Sequence, residues 1–315
     1  MAWPDGGTNE VTTKIGTAGA PTRDHESIAA WEADTDDNCV TGWGAGDYSS
    51  PCSPVGDCYD DADFNEDVFI SGATTDSTHY RRLTAHVGER HNGTSGAGVR
   101  LVNDVVHPRD KYVVAEWLII EERVTCNSQP NDARFVLRFC VYENSNAYDI
   151  AIHEDSAGTG VENYMENCVL ILPATGHAVY DSPIIVRNCS ALGGNVVFKG
   201  CDCTNVISVG GTTNFSGCTG DYNIGSDATA PGENSIDNVD EDDIYTNTGS
   251  GTEDLHLKSD ATDASGAGDD LSASFTIDID GQTRVDWDIG ADEFISGAPT
   301  GIPAHSDYYF RMRGQ

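Results

Sequence analysis

From residue 68 onward the chain is a succession of short β-type runs cut by Gly, Asn and Asp, at residues 68–70, 99–102, 112–120, 135–142, 168–172, 184–186, 196–198 and 206–209. No helical period of ten or more residues separates them, so crossover helices between parallel strands are excluded and the fold class is all-β. A sandwich would show strands with one polar face. Several of these runs are apolar throughout.

A weak repeat points further. Asn167-Cys168, Asn188-Cys189, Gly200-Cys201 and Gly217-Cys218 each place a small or amide residue before a cysteine, at separations of 21, 12 and 17 residues. Periods near 20 suit a right-handed parallel β-helix, a solenoid whose coils each hold two or three short strands. Stacked Asn side chains would then hydrogen-bond along the turns, and small Cys side chains would stack inside. Both ends of such a stack need covers, because a terminal coil exposes an unpaired edge and an apolar core. The expected organisation is an N-terminal cap with a short helix and Cys/Asp-rich loops (1–66), the β-helix (67–232), a closing block (233–295), and a linker with a tail (296–315). The helix is expected over residues 24–33, with Asp24 as N-cap and Ile28 and Trp31 on one face.

Charge narrows the function. The chain carries 52 acidic and 17 basic residues, only four of them Lys, for a formal net charge of −35. Gripping nucleic acid needs clustered Lys and Arg, so nucleic acid is excluded as a partner. No apolar run approaches 18 residues, so no membrane insertion is expected. The acidic, Lys-poor balance suits a halophilic protein kept soluble by its hydrated carboxylates.

Ten cysteines, Cys39, Cys52, Cys58, Cys126, Cys140, Cys168, Cys189, Cys201, Cys203 and Cys218, are an even count in a loop-rich chain and are disulfide candidates. Residues 1–7 show neither a basic nor an apolar signal region, which sits awkwardly with secretion. Release by lysis inside a virus particle reconciles the two, as does a signal already removed. Cys201-Asp-Cys203 is a lone C-x-C, a weak zinc signal.

Residues 253–257, Asp263-Ala-Ser-Gly-Ala-Gly268, Asp278-Ile-Asp-Gly-Gln-Thr-Arg284 and Asp288-Ile-Gly-Ala-Asp-Glu-Phe294 resemble the closing block of pectate-lyase-like right-handed β-helix proteins, common in environmental bacteria, archaea and their viruses. Ser27-Ile-Ala-Ala-Trp-Glu32 and residues 70–85 resemble the helix and first coil of such proteins. The likeness covers the outer thirds of the chain and speaks for fold rather than activity. Physical sense supports it: Arg284 between carboxylates, Asp288 among them, can anchor a loop through bidentate bonds, and Gly290 permits close backbone approach.

The resemblance suggests polysaccharide lyase chemistry, which needs an Arg or Lys base beside calcium-binding carboxylates. Arg100, Arg123, Arg134, Arg138, Arg187 and Lys199 show no such grouping and read as structural. Hydrolysis needs two facing carboxylates. Asp149, Glu154, Asp155 and Glu162 are possible members, with nothing to single out a pair. No catalytic residue is assigned. Calcium is the one cofactor suggested: Asp61, Asp63, Asn65 and Asp67 alternate oxygen ligands, with residues 237–243 as a second acidic loop. Glu66 stands where an EF-hand needs Gly, and Gly72 where it needs Glu, so only an irregular calcium loop remains. His86-Val-Gly-Glu-Arg-His91 lacks zinc-protease order, and its histidines read as surface residues. Asn92, Asn188 and Asn214 begin glycosylation sequons.

The tail is the one aromatic, basic stretch. Tyr308, Tyr309, Phe310, Arg311 and Arg313 are expected to dock on a neighbouring subunit or partner. Taken together, the expectation is a structural component of a virus particle: a capsid-surface, turret, tail or fibre protein of a tailed virus from a saline habitat. It would form a homo-oligomer, a trimer by likeness to β-helix tail proteins, beside other virion proteins, presenting loops to solvent or a host surface glycan. The alternatives are an extracellular polysaccharide lyase or glycoside hydrolase, and a secreted adhesin or surface-layer component.

Overall fold

The computed structural model describes residues 4, 7–17, 22–43, 48–94, 96–102, 105–143, 150–153, 159–180 and 183–295. The described chain is mostly β. Its strands build three stacked parallel sheets of nine, seven and seven strands, and most neighbours in a sheet are three strands apart along the chain. One circuit runs Arg134–Arg138 in the first sheet, Val141–Glu143 in the second and Ile150–His153 in the third. The next circuit, Glu162–Glu166, Val169–Leu172 and His177–Tyr180, pairs with it strand on strand. In the first sheet the register Val136, Tyr164, Ile185, Asp202, Thr219 advances by 28, 21, 17 and 17 residues.

Parallel pairing without helices requires the backbone to turn sharply between sheets. Between the first and second sheets, in the six circuits from Tyr112 onward, it does so at one left-handed residue each: Trp117, Phe139, Asn167, Asn188, Asn205 and Tyr222, with φ between 44° and 62°. Asn adopts this conformation readily, whereas an aromatic residue there is strained. The runs 112–120 and 135–142 are therefore not single strands: each bends at its aromatic residue, into Tyr112–Glu116 and Ile119–Ile120, and into Arg134–Arg138 and Val141–Glu143. The Asn/Gly-Cys series likewise separates into two corners. Cys168 and Cys189 follow the Asn column, while Cys201 and Cys218 open the first-sheet strands of the last two circuits.

The core runs along the stack. Leu83, Ala115, Leu137, Met165, Val186 and Cys203 occupy successive registered positions and are all buried. Burying a Leu or Val side chain stabilises by roughly 1.5–3 kcal/mol, so such a column is a main source of cohesion.

At the N-terminal side, the helix Ile28–Asp34 buries Ile28 and Trp31 as expected, but its N-cap is Ser27, whose Oγ accepts the Ala30 amide at 3.0 Å. Asp24 instead accepts the Lys14 amide. Glu66 takes the Ile28 and Ala29 amides at 2.8 and 2.9 Å. The fully buried Arg81 ties helix to sheet, pairing with Asp110 at 2.9 Å and donating to the Glu32 carbonyl and the Thr35 hydroxyl. At the other side, a short antiparallel pair, Tyr245–Asn247 with Asp254–Leu257, precedes an irregular block through residue 295.

Candidate functional site

The closing block begins against the last strand of the second sheet, where Ile236 pairs with Ile224, and its later part lies along the asparagine column. Asn188 Nδ2 donates to the Asp288 and Gly290 carbonyls, each at 3.0 Å. Asn205 Nδ2 donates to Asn188 Oδ1 at 3.1 Å and to the Asp269 carbonyl at 2.8 Å, and its Oδ1 accepts the Asp269 amide at 2.8 Å. The Gly290 amide returns a bond to the Asn205 carbonyl, and the Ala291 amide one to Ser190 Oγ. A Cβ on Gly290 would stand 2.7 Å from Ile207 Cδ1, so the close approach expected there is real, and its φ of +105° also favours glycine.

The acidic motif residues of the block serve its own backbone. Asp278 accepts amides of Asp280, Gln282 and Glu293; Asp288 accepts those of Gly266 and Phe294; Glu293 accepts those of Val285, Asp286 and Asp288. Arg284 departs from the bidentate carboxylate anchor expected of it. Its guanidinium bonds Asn167 Oδ1 at 2.7 Å and the Ala291 and Gly290 carbonyls at 2.7 and 3.0 Å, with Glu293 further off at 3.4 Å. The carboxylates are already filled by amides, so the guanidinium goes to carbonyls. Burial and neighbouring Asp292 push Asp278 up to about 8.

His256 carries the densest charge cluster of the block. Nδ1 pairs with Asp254, and Nε2 meets Asp280 Oδ1 at 3.1 Å. Burial acts to lower its pKa, but the bonds to Asp254 and Asp280, with Asp292 close by, raise it to about 11. Both ring nitrogens are occupied and the ring is cationic at neutral pH, a clamp between loops rather than a base. Asp292 completes a His256–Asp280–Asp292 group whose ligand atoms lie within 4.8 Å, but it also accepts the Leu257 amide.

All ten disulfide candidates are free thiols in this structure, nine of them buried. Cys140, Cys168 and Cys189 stack one per circuit just before registered positions of the second sheet. In-register side chains of a parallel sheet stand about 4.8 Å apart, beyond the ~3.8 Å that a disulfide's Cβ atoms prefer. Cys168 meets Cys140 on one side and Cys189 on the other as thiols, and each of the three also approaches a carbonyl two residues back, at 3.3–3.4 Å. Cys201, Cys203 and Cys218 differ: their thiols converge.

The three calcium-candidate carboxylates, Asp61, Asp63 and Asp67, are not gathered within 4.8 Å of one another. Asp61 is bound by Arg23 through two bonds of 2.8 Å, while Asp63, Asn65 and Asp67 are exposed. Glu66, the residue breaking the EF-hand pattern, caps the helix. His91, read as a surface residue, is buried, with Nε2 on the Phe139 carbonyl at 2.8 Å and its ring 5.9 Å from that of Trp117. Burial pushes it down to about 4. Two sequon residues, Asn188 and Asn214, are also buried. The basic residues of the stack pair along it: Arg138 with Glu116 at 2.8 Å, Arg187 with Glu166 at 3.1 Å, and Arg100 with Glu121 and with Glu143 at 3.2 Å. The tail residues Tyr308, Tyr309, Phe310, Arg311 and Arg313 lie outside the described residues, as do Asp149, Glu154 and Asp155.

One small cleft, of about 240 Å³, gathers Asp242, Asp243, Asp260 and Asp263 around Lys258. The Lys258 ammonium donates to the Asp242 carbonyl. No protein-family model, curated protein or solved structure matches this chain.

Sequence reasoning missed Arg81, His91 and His256. Asp110, Phe139 and Asp280, which they meet, lie 24 to 48 residues away, while His256 also has a partner close in sequence, Asp254.

Proposed function

We propose that the chain is a structural shaft, a right-handed parallel β-helix, serving as a component of a virus particle in a saline habitat. The observation that supports a structural role is the seam between the asparagine column and the closing block, where Arg284, Asn188 and Asn205 join segments 64 to 117 residues apart through buried bonds. Most hydrogen bonds of this seam run to protein backbone, and the rest join Arg284 to Asn167 and Asn205 to Asn188. Arg138, Arg187 and Arg100 of the stack are paired with carboxylates. The resemblance of the closing block to β-helix proteins of bacteria, archaea and their viruses supports the virion reading, and the net charge of −35 supports the saline one. In this role the protein forms homotrimers, resists shear and presents loops to solvent or a host surface glycan. Peptide mass spectrometry on density-purified particles beside the soluble medium tests it. Stoichiometric recovery with a major capsid protein supports the proposal, and recovery only in medium or at the cell surface overturns it in favour of a secreted adhesin.

The cleft around Lys258 favours a second reading, an extracellular polysaccharide lyase or hydrolase. Release of unsaturated or reducing ends from acidic glycans, abolished by Lys258→Ala, would establish it.

A further inference from the structure

We infer that Cys201, Cys203 and Cys218 form a binding site for one thiophilic closed-shell cation, zinc(II) or copper(I), at the last corner of the stack. Cys201 Sγ lies 3.6 Å from Cys203 Sγ and 3.5 Å from Cys218 Sγ, and the three sulfurs lie within 4.8 Å of one another. A cation about 2.3 Å from each of three thiolates holds the sulfurs roughly 3.8–4.0 Å apart. The two short edges are thus within a few tenths of an ångström of ligation, a shift that side-chain rotation supplies.

The corner geometry explains why the thiols converge here and not at the other cysteines. Gly200 and Gly217, at φ +70° and +64°, turn the chain into successive first-sheet strands, so Cys201 and Cys218 stand one above the other. Cys203, two residues on, faces the same interior. Its registered neighbour is Gly220, where a Cβ would come 1.8 Å from the Cys203 carbonyl oxygen, so no side chain covers it from that circuit. The column Cys140, Cys168, Cys189 offers one thiol per circuit in a line, which gives an ion no third ligand.

Donor chemistry sets the class of ion. The converging atoms are three sulfurs with no carboxylate or imidazole among them, a set that selects soft or borderline cations over calcium or magnesium. The Phe198 carbonyl, 3.3 Å from Cys218 Sγ, or a water can take a fourth position for zinc, whereas copper(I) is satisfied by three sulfurs. Cys218 is part-exposed and provides the entry path. A bound ion would tie the last two circuits together, and its binding energy would add to folding.

The test uses the full chain purified anaerobically under reductant, then exposed to zinc(II) or copper(I) and freed of excess ion. Bound metal is counted by plasma mass spectrometry, and cobalt(II) is added separately to read sulfur-to-metal charge-transfer absorption. One ion per chain is expected for the wild type and for Cys168→Ser, with loss of the ion in Cys203→Ser and Cys218→Ser and its retention in Cys218→His. Tighter zinc or tighter copper then identifies the coordination. Cys218→Ser alters a part-exposed residue, so it decides the matter if Cys203→Ser fails to fold. Wild-type protein without stoichiometric metal, unchanged binding in Cys218→Ser, or a Cys201–Cys218 disulfide in the anaerobic preparation would overturn the inference.

Discussion

Arg284 donates to the side-chain oxygen of Asn167 at 2.7 Å, joining a loop of the closing block to a turn 117 residues earlier in the chain. The guanidinium is buried, and the same group holds three carbonyls of residues 290–292. Removing it takes the cation from beside Glu293 and a donor from each of those carbonyls, of which only Gly290 keeps another side-chain donor, Asn188. Breaking a buried charged network in this way costs about 3–5 kcal/mol. Arg284→Met should therefore lower the unfolding free energy by that amount, seen as a fall in the urea midpoint, and limited proteolysis should then cut first within the closing block. An unchanged midpoint would mean the block contributes nothing to the stability of the stack.

Asn188 offers a finer test, because it combines a left-handed backbone, φ +44°, with two buried bonds to the Asp288 and Gly290 carbonyls. Asn188→Gly keeps the backbone at ease and loses only the bonds, each worth about 0.5–1.5 kcal/mol net. Asn188→Ala loses the bonds and adds about 1 kcal/mol of left-handed strain. Chemical denaturation should rank wild type above Gly and Gly above Ala. The reverse order of the two variants would show that backbone conformation at this column does not matter.

How much of this was legible beforehand follows from what is local. The β runs, the Asn-Cys corners, the buried Ile28 and Trp31 and the close approach at Gly290 all have signatures within a few residues, and sequence reading finds them. The bends at Trp117 and Phe139 did not announce themselves, because apolar runs continue through them and bulky aromatics seldom take positive φ. Nor did the destinations of charged groups. Arg81 finds Asp110, and His256 finds Asp280, only once the circuits stack, so composition shows that acids are abundant but not which one a cation meets.

Two buried groups, His91 and Glu116, should each take stability from the fold in acid, at different pH. His91 is buried with its pKa lowered from an ordinary 6.5 to about 4, so the fold favours the neutral ring. Its contribution is complete above pH 6.5 and is lost as pH falls from 6.5 towards 4, a loss of roughly 3 kcal/mol at 1.36 kcal/mol per pKa unit. Glu116 follows. Burial would raise its pKa, but Arg138 and Arg82 bring it down to about 2, so its contribution is present above pH 4.5 and fades between 4.5 and 2. Between pH 7 and 4 the wild-type midpoint should fall relative to that of His91→Gln, a difference that leaves out the opposing gain from Asp278, whose raised pKa favours the fold in acid in both proteins. Parallel slopes would remove His91 from the account.

Thiol chemistry separates packing from stapling. With all ten cysteines free and nine buried, the native protein should react slowly with a thiol reagent, fastest at the part-exposed Cys218. After unfolding without reductant, but with a chelator present, ten thiols per chain should titrate. A count of zero or two would instead mean that disulfides, and not side-chain packing, hold the corners.

Salt dependence tests the acidic surface. A net charge of −35 on a 315-residue chain repels itself most strongly where screening is weakest. The screening length falls from about 10 Å at 0.1 M salt to about 3 Å at 1 M. Repulsion among exposed carboxylates should fade over that range, while buried pairs such as Arg81–Asp110 and Arg138–Glu116 lie too deep to be screened equally. The melting temperature should therefore climb steadily from low to molar KCl. A flat response would mean that the paired cations already balance the nearby acids, and that the charge serves solubility and not stability.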